Sequence, residues 1–163
     1  MSDLRIDVAD LLRHPGARRA LRRSAVVDGL GTTTAHVVGP VEVDLLLERV
    51  SEGIVVRGTI GARFEAECGV CLREVAADVD VAVSELYEDH PVEGETYQLL
   101  GYVVDLEPLV RDAVLLELPL APTCAATGGD ACSPEPVEHD LGDDADADAP
   151  VDPRWAALSE LEL

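Results

Sequence analysis

The sequence contains no lysine, few aromatic residues and no long apolar run. Aromatic residues make up 3% of the 163 residues, which argues against an RNA-binding surface built from stacked aromatic rings. No apolar run approaches the ~18 residues that a membrane-spanning helix needs. The first residues also lack the basic-then-apolar order of a signal peptide. We therefore expect a cytoplasmic protein that is not associated with a membrane.

Acidic residues strongly outnumber basic ones. The chain has 33 acidic and 12 basic residues, a formal net charge of −21, and every basic residue is an arginine. Such a composition excludes general coating of nucleic acid, because phosphate binding needs positive charge. Residues 1–23 are different, since six arginines against three aspartates leave a local charge of +3 and −24 for the rest of the chain.

Four of these arginines form a compact cluster, which consists of Arg18, Arg19, Arg22 and Arg23. Guanidinium groups bind phosphate in a bidentate manner, so the cluster is a candidate RNA-binding surface. The alternative is a solvated segment that only neutralises part of the acidic body. We interpret residues 17–23 as either a helical turn or a mobile loop, and we expect all four arginines to be exposed.

Alternating apolar and polar residues predict a curved, antiparallel β-meander or partial barrel. Three period-two runs are joined by short connections, the pattern of a meander. Gly58 and Gly61 inside the second run indicate a bulge or bend. The three runs cover residues 41–48, 54–66 and 75–84; a short strand is expected over residues 4–8, and residues 97–104 are a further strand or edge segment.

One main helix is predicted over residues 106–118. Apolar residues recur there at helical spacing. Asp105 is placed to cap the first turn, Pro108 is tolerated within that turn, and Pro119 ends the helix. A helix with one apolar stripe should cover one face of the sheet, which predicts a single α+β domain over residues 1–132.

The composition changes after this domain. Residues 133–152 include the run DLGDDADAD, which predicts a disordered acidic tail or linker because few side chains there can be buried. In residues 153–163, Trp155, Leu158 and Leu161 recur at three-residue spacing. This spacing predicts a short docking helix at the end of the chain.

Four cysteines form two pairs on either side of the predicted helix. Cys68 and Cys71 have C-x2-C spacing between two predicted strands, and Cys124 and Cys132 form a looser pair. Because cytoplasmic thiols stay reduced, they indicate metal or redox chemistry rather than disulfides. Four thiolates suit a structural, tetrahedral zinc ion. The alternatives are ordinary buried cysteines or a reversible dithiol; a thioredoxin-like role is disfavoured, because its first cysteine starts a helix.

The remaining polar residues give no catalytic signature. The four histidines are scattered, without the spacing of a metal site or catalytic triad. The serines lack the sequence context of a nucleophile elbow, and no glycine-rich phosphate loop occurs. The sequence therefore predicts no enzyme activity.

Several segments, taken in order, resemble the YceD family of bacterial proteins, which is associated with accumulation of large-subunit ribosomal RNA. They are LLRHPGARR, CGVCLREV, VVDLEPLVRDAVLLELPLAPTC, the last cysteine, and DPRWAAL. The family's C-x2-C-Leu motif corresponds to Cys68, Cys71 and Leu72, and its Leu-Pro-Leu-x-Pro-x-Cys step to residues 118–124. The resemblance covers nearly the whole chain and implies a role in ribosome assembly rather than an enzyme activity.

These features together lead us to expect a non-enzymatic, monomeric assembly factor of the large ribosomal subunit. Its expected partner is the large-subunit ribosomal RNA precursor or a ribosomal protein, contacted through the basic segment. The alternative is an acidic adaptor that binds a basic ribosomal protein without touching RNA. A third hypothesis is a thiol redox or metal-handling protein.

Overall fold

The computed structural model describes residues 3–132, which form a strand-rich α+β fold. Seven strands and two helices follow one another along this part of the chain. The strands are β1 (Arg5–Asp7), β2 (Arg18–Ala25), β3 (Ala35–Arg49), β4 (Gly53–Glu67), β5 (Glu74–Glu88), β6 (Tyr97–Gln98) and β7 (Val103–Asp105), and the helices are α1 (Ala9–Leu12) and α2 (Glu107–Glu117).

The larger of two sheets is open and has five strands in the order β2-β3-β4-β5-β6. Its first four strands are antiparallel neighbours, as the meander prediction requires. β6 adds a parallel pairing with the last two residues of β5, so within residues 3–132 the outer edge of β5 is paired only there. β1 and β7 form a separate two-stranded sheet. The predicted α+β fold, with an antiparallel meander and one main helix, is confirmed.

The irregularity predicted near Gly58 and Gly61 occurs in the neighbouring strand. β4 pairs with β5 without a break, whereas the register between β3 and β4 shifts between Val38 and Glu42, opposite Ala62 and next to Gly61. Gly58 has a φ of +149°, and a Cβ added there would lie 2.1 Å from the carbonyl oxygen of Asp44. Glycine at this position therefore lets the backbones of β3 and β4 approach closely, while the bulge itself is in β3.

The basic segment forms strand β2 at one edge of the sheet. It pairs with β3 in continuous register, from Arg18 opposite Glu48 to Ala25 opposite Val41. The interpretation of residues 17–23 as a helical turn or loop was therefore wrong. Leu21 and Ala25 are the buried residues of this strand, and two apolar positions among four arginines were too few to reveal the period of two.

One face of the sheet carries the core. Along most of β3 and β4 buried residues alternate with exposed ones, the pattern of a sheet covered on one side. Helix α2 supplies Leu109, Val110 and Val114 to this core and contacts β4 and β5. The helix begins at Glu107, one residue later than predicted, so Leu106 rather than Asp105 holds the cap position. The carboxylate of Asp105, one residue before it, still accepts a hydrogen bond of 3.1 Å from the amide of Glu107.

Two predicted segments lie outside the described residues: the acidic linker over residues 133–152 and the docking segment over residues 153–163. The extent of the domain over residues 1–132 stays a prediction. In the part of the chain that is described, no helix combines the length and apolar character needed to cross a membrane.

Candidate metal centre

The turn between β4 and β5 carries the first cysteine pair. Cys68 directly follows β4, and the amide of Leu72 donates a hydrogen bond of 2.9 Å to the carbonyl oxygen of Cys68. The amide of Cys68 in turn donates to the carbonyl oxygen of Arg73 at 2.8 Å. This tight turn directs the amides of Val70 and Cys71 to the sulfur of Cys68. We call residues 68–73 the knuckle.

The segment after α2 brings the second pair to the knuckle. The amide of Gly69 donates a hydrogen bond of 2.8 Å to the carbonyl oxygen of Pro122, two residues before Cys124. A second turn is closed by the amide of Gly129, which donates to the carbonyl oxygen of Cys124 at 2.8 Å. Backbone contacts thus position both halves of the cluster.

All four cysteine sulfur atoms converge. The Sγ–Sγ distance is 3.6 Å both between Cys68 and Cys132 and between Cys71 and Cys124, and the four atoms lie within 4.8 Å of one another. A tetrahedral zinc ion with Zn–S bonds of about 2.3 Å needs sulfur–sulfur edges of about 3.8 Å. A disulfide needs about 2.05 Å, and all four cysteines are free. The cluster is therefore compatible with a structural metal and contains the four cysteines that the sequence predicted as ligands.

The thiols of the cluster differ in how readily they ionise. Hydrogen bonds from the amides of Cys71 and Val70 lower the pKa of Cys68 to about 6. Burial raises the pKa of Cys124 to about 12, and the hydrogen bond with Cys71 raises that of Cys132. The lowered pKa of Cys68 favours thiolate at neutral pH, and a coordinated cation would ionise the other thiols.

Arg73 belongs to this site, although no sequence motif singled it out. Its Nε donates to the Sγ of Cys71 at 3.3 Å, and its Nη2 lies 3.8 Å from the Sγ of Cys124. The hydrogen bond lowers the pKa of Cys71 and raises that of Arg73. A guanidinium at this place offsets negative charge on the thiolates and orients them from outside the cluster. The signal that could have found it was a basic residue two positions after a C-x2-C motif.

The four arginines of the predicted RNA-binding cluster are divided between two faces of β2. Side chains alternate along a strand, so Arg18 and Arg22 share the solvent-facing side and Arg23 lies on the other. Arg18 pairs with Glu48 at 2.7 Å, and Arg22 pairs with Asp44 at 2.9 Å. The structure therefore places two of the four arginines together on one surface, each beside a carboxylate of β3.

Arg19 connects β2 to the N-terminal part of the chain. Its guanidinium lies 3.1 Å from the carboxylate of Asp10 and donates a hydrogen bond of 2.6 Å to the carbonyl oxygen of Asp7. Only 33% of its side chain is exposed. The expectation that all four arginines are exposed was wrong for Arg19, because its guanidinium is held by Asp7 of β1 and Asp10 of α1.

Comparison with known proteins identifies the family. Residues 56–162 match the family described as large ribosomal RNA subunit accumulation protein YceD. The chain belongs to the YceD family. The YceD match begins within β4 and includes both cysteine pairs, but not strand β2. No solved structure matches the chain.

Mycobacterial proteins are similar to this YceD-family chain over almost all of its length. Uncharacterized proteins of Mycobacterium bovis and Mycobacterium tuberculosis are each 34% identical over 173 residues, which span 98% of this chain and 82% of the relative. An uncharacterized protein of Mycobacterium leprae is 33% identical over 180 residues, with 99% and 78% covered. The family name implies involvement in accumulation of large-subunit ribosomal RNA.

Proposed function

We propose that this YceD-family protein is a non-enzymatic, cytoplasmic assembly factor of the large ribosomal subunit that supports accumulation of its RNA. The observation that carries the proposal is the family match over residues 56–162. That match contains the knuckle, helix α2 and both cysteine pairs, which form one connected part of the fold.

Zinc is the metal that we assign to the cysteine cluster. Four sulfur donors favour a soft or borderline cation, and four protein ligands leave no open position for a substrate. Cys68 is fully buried and Cys124 is 7% exposed, as suits a structural site. The ion would join the β4–β5 turn to the segment after α2, so its role is to hold these elements together.

Arg18 and Arg22 are the residues that we propose for contact with RNA. They lie on the exposed face of an edge strand, where their side chains are 63% and 83% exposed. Arg22 and Asp44 form an exposed ion pair, which contributes only about 0–1 kcal/mol, so phosphate can replace Asp44 as the partner at little cost. Glu48 is only 18% exposed, so its pair with Arg18 is partly buried and would be harder to replace. Arg19, in contrast, would support the strand rather than bind RNA.

The acidic adaptor remains the second candidate function. The observation in its favour is that Arg18 and Arg22 already pair with carboxylates of their own chain. Neutralisation of the acidic sheet would then be their whole role, and the net charge of −21 would attract a basic ribosomal protein. This adaptor would act on the same subunit without touching RNA.

Depletion of the protein tests the proposed function directly. Ribosomal particles and precursor RNA are profiled before and after depletion, with a wild-type copy as the rescue control. We expect fewer large subunits and more unprocessed large-subunit RNA, while small subunits stay unchanged. An unchanged ratio of the two subunits after complete depletion would contradict the proposal.

A further inference from the structure

A groove of about 500 Å³ opens beside the knuckle, at the end of the sheet where β4 ends and β5 begins. Three segments line it: residues 32–36 before and at the start of β3, the end of β4 with the knuckle, and residues 120–122 after α2. Hydrogen bonds fix these walls to one another, since the Oγ1 of Thr34 donates to the carbonyl oxygen of Pro119 at 3.1 Å. The backbone segments that line the groove are therefore held in place relative to one another.

Leu72 lines this groove in a conformation that leucine rarely adopts. Its φ is +59°, and within residues 3–132 it is the one non-glycine residue with a positive φ, whereas the seven others are all glycines. The left-handed conformation costs an L-residue free energy that glycine does not pay. Glycine would therefore adopt this turn conformation more readily than leucine. The backbone geometry of the knuckle does not explain why position 72 is a leucine.

The side chain of Leu72 does not stabilise the described fold by burial, because 72% of the residue is exposed. Leu120, on the opposite segment of the same groove, is 82% exposed. Two exposed leucines beside one concavity form the kind of surface that accepts an apolar side chain of a partner. Backbone strain at such a position points to a functional role of the side chain.

The rim of the groove is negatively charged. Glu65, Glu67 and Glu74 line it, and no arginine is among its described lining residues. His36 also lines the groove, with its Nε2 3.8 Å from a carboxylate oxygen of Glu65. An apolar groove with three carboxylates at its rim is complementary to a segment that carries basic side chains around an apolar one.

We propose that this groove binds an extended, basic segment of a partner protein, with one apolar side chain of that segment held between Leu72 and Leu120. The flanking basic side chains would face Glu65, Glu67 and Glu74. This interaction goes beyond the proposed function, because it does not require that β2 contact RNA.

A binding experiment with a synthetic peptide tests the groove. The probe is a fluorescent peptide of sequence Lys-Arg-Lys-Phe-Lys-Arg-Lys, used with the full-length, zinc-supplemented protein. Because an acidic protein attracts any basic peptide, the matched peptide with alanine in place of phenylalanine gives the decisive comparison. We expect the phenylalanine peptide to bind at least about tenfold more tightly, a difference of about 1.4 kcal/mol.

Two substitutions at position 72 separate side-chain contact from backbone strain. Leu72→Ala and Leu72→Gly should both abolish the preference for phenylalanine, since both remove the apolar contact. Leu72→Gly also relieves the positive φ, so its Tm should be unchanged or rise by a few degrees. Leu100→Ala is the control, because Leu100 is also exposed but follows β6 at the other end of β5; it should keep the preference.

The charged rim has its own variant and control. Glu67→Lys should weaken binding of the basic peptide at least threefold more than Glu93→Lys, which lies in the loop before β6. Equal binding of the phenylalanine and alanine peptides, or a phenylalanine preference that survives Leu72→Ala, would overturn the proposal. So would a wild-type dimer that Leu72→Ala dissociates, because a second copy would then occupy the groove.

Discussion

Replacing Arg18 and Arg22 by alanine is expected to weaken RNA binding and leave the fold intact. Both side chains lie on the exposed face of β2, and each has one carboxylate partner. The exposed Arg22–Asp44 pair contributes about 0–1 kcal/mol. Glu48 is only 18% exposed, and loss of Arg18 leaves its carboxylate without this partner at a cost of about 1–3 kcal/mol in the free energy of unfolding. The protein should therefore remain folded and testable.

The expected effect on RNA binding follows from the number of phosphate groups that the two arginines hold. If each arginine holds one phosphate, the double variant releases two of them. Each phosphate contributes roughly 0.7 to the slope of log K against log salt for single-stranded RNA and roughly 0.9 for a duplex. The slope should therefore become shallower by about 1.4–1.8 when the full-length protein binds purified large-subunit precursor particles over a series of salt concentrations.

Two further variants control this measurement. Arg19→Ala should lower the Tm and leave the salt slope unchanged, because this guanidinium holds Asp10 and the backbone of Asp7. Asp44→Asn combined with Glu48→Gln removes the competing carboxylates and should tighten binding. A folded Arg18→Ala, Arg22→Ala variant with unchanged affinity and unchanged slope would refute the RNA contact and favour the adaptor.

Three other measurements probe the cluster and the sheet. Protein purified under reducing conditions without chelator should contain about one zinc per chain, and Cys68→Ser should lower both zinc content and Tm, because metal binding contributes folding free energy; metal-free protein of wild-type Tm would contradict the zinc site. In the metal-free protein, hydrogen bonds lower the pKa of Cys68 from 9.0 to about 6. The ionised thiol of Cys68 therefore stabilises the folded state fully above pH 9, and this stabilisation is lost as the pH falls through 6. Ultraviolet absorbance of thiolate should show a titration step near pH 6 in wild type but not in Cys68→Ser. A single titration in the ordinary thiol range would contradict the lowered pKa of Cys68. Gly58→Ala should lower the Tm far more than Gly94→Ala, because both have positive φ but only the first would place a Cβ 2.1 Å from the oxygen of Asp44; equal losses would show that close strand approach is unimportant.

The long strands and the main helix could be predicted because their signals are local. Alternating runs over residues 41–48, 54–66 and 75–84 mark β3, β4 and β5, and Asp105 and Pro119 flank α2. β2 was missed because its neighbours in space are remote in sequence: its backbone pairs with β3, Leu21 is buried in the core, and Arg19 pairs with Asp10 of α1. Its own residues carry too little apolar character to indicate a strand.

The cysteine cluster was predictable from residue type, but its environment was not. C-x2-C spacing indicated that Cys68 and Cys71 act together, whereas the approach of Cys124 and Cys132 depends on backbone contacts such as that of Gly69 with Pro122. The position of Arg73 and the positive φ of Leu72 are likewise products of the turn. No periodicity in the sequence indicates them.

The partly unpaired edge of β5 suggests a reason for the excess of acidic residues. Within the described part of the chain, residues 74–86 pair with β4 alone, so the other side of a long strand offers backbone groups to any extended chain. Asp80 projects from the exposed face of this strand, as does Asp78, whose carboxylate pairs with Arg63 of β4 at 3.2 Å. If the β5 edges of two molecules met, their negative charges would repel one another. The net charge of −21 adds repulsion between the whole molecules. The acidity would then keep a sheet with an open edge from growing into an aggregate, whatever partner the protein binds.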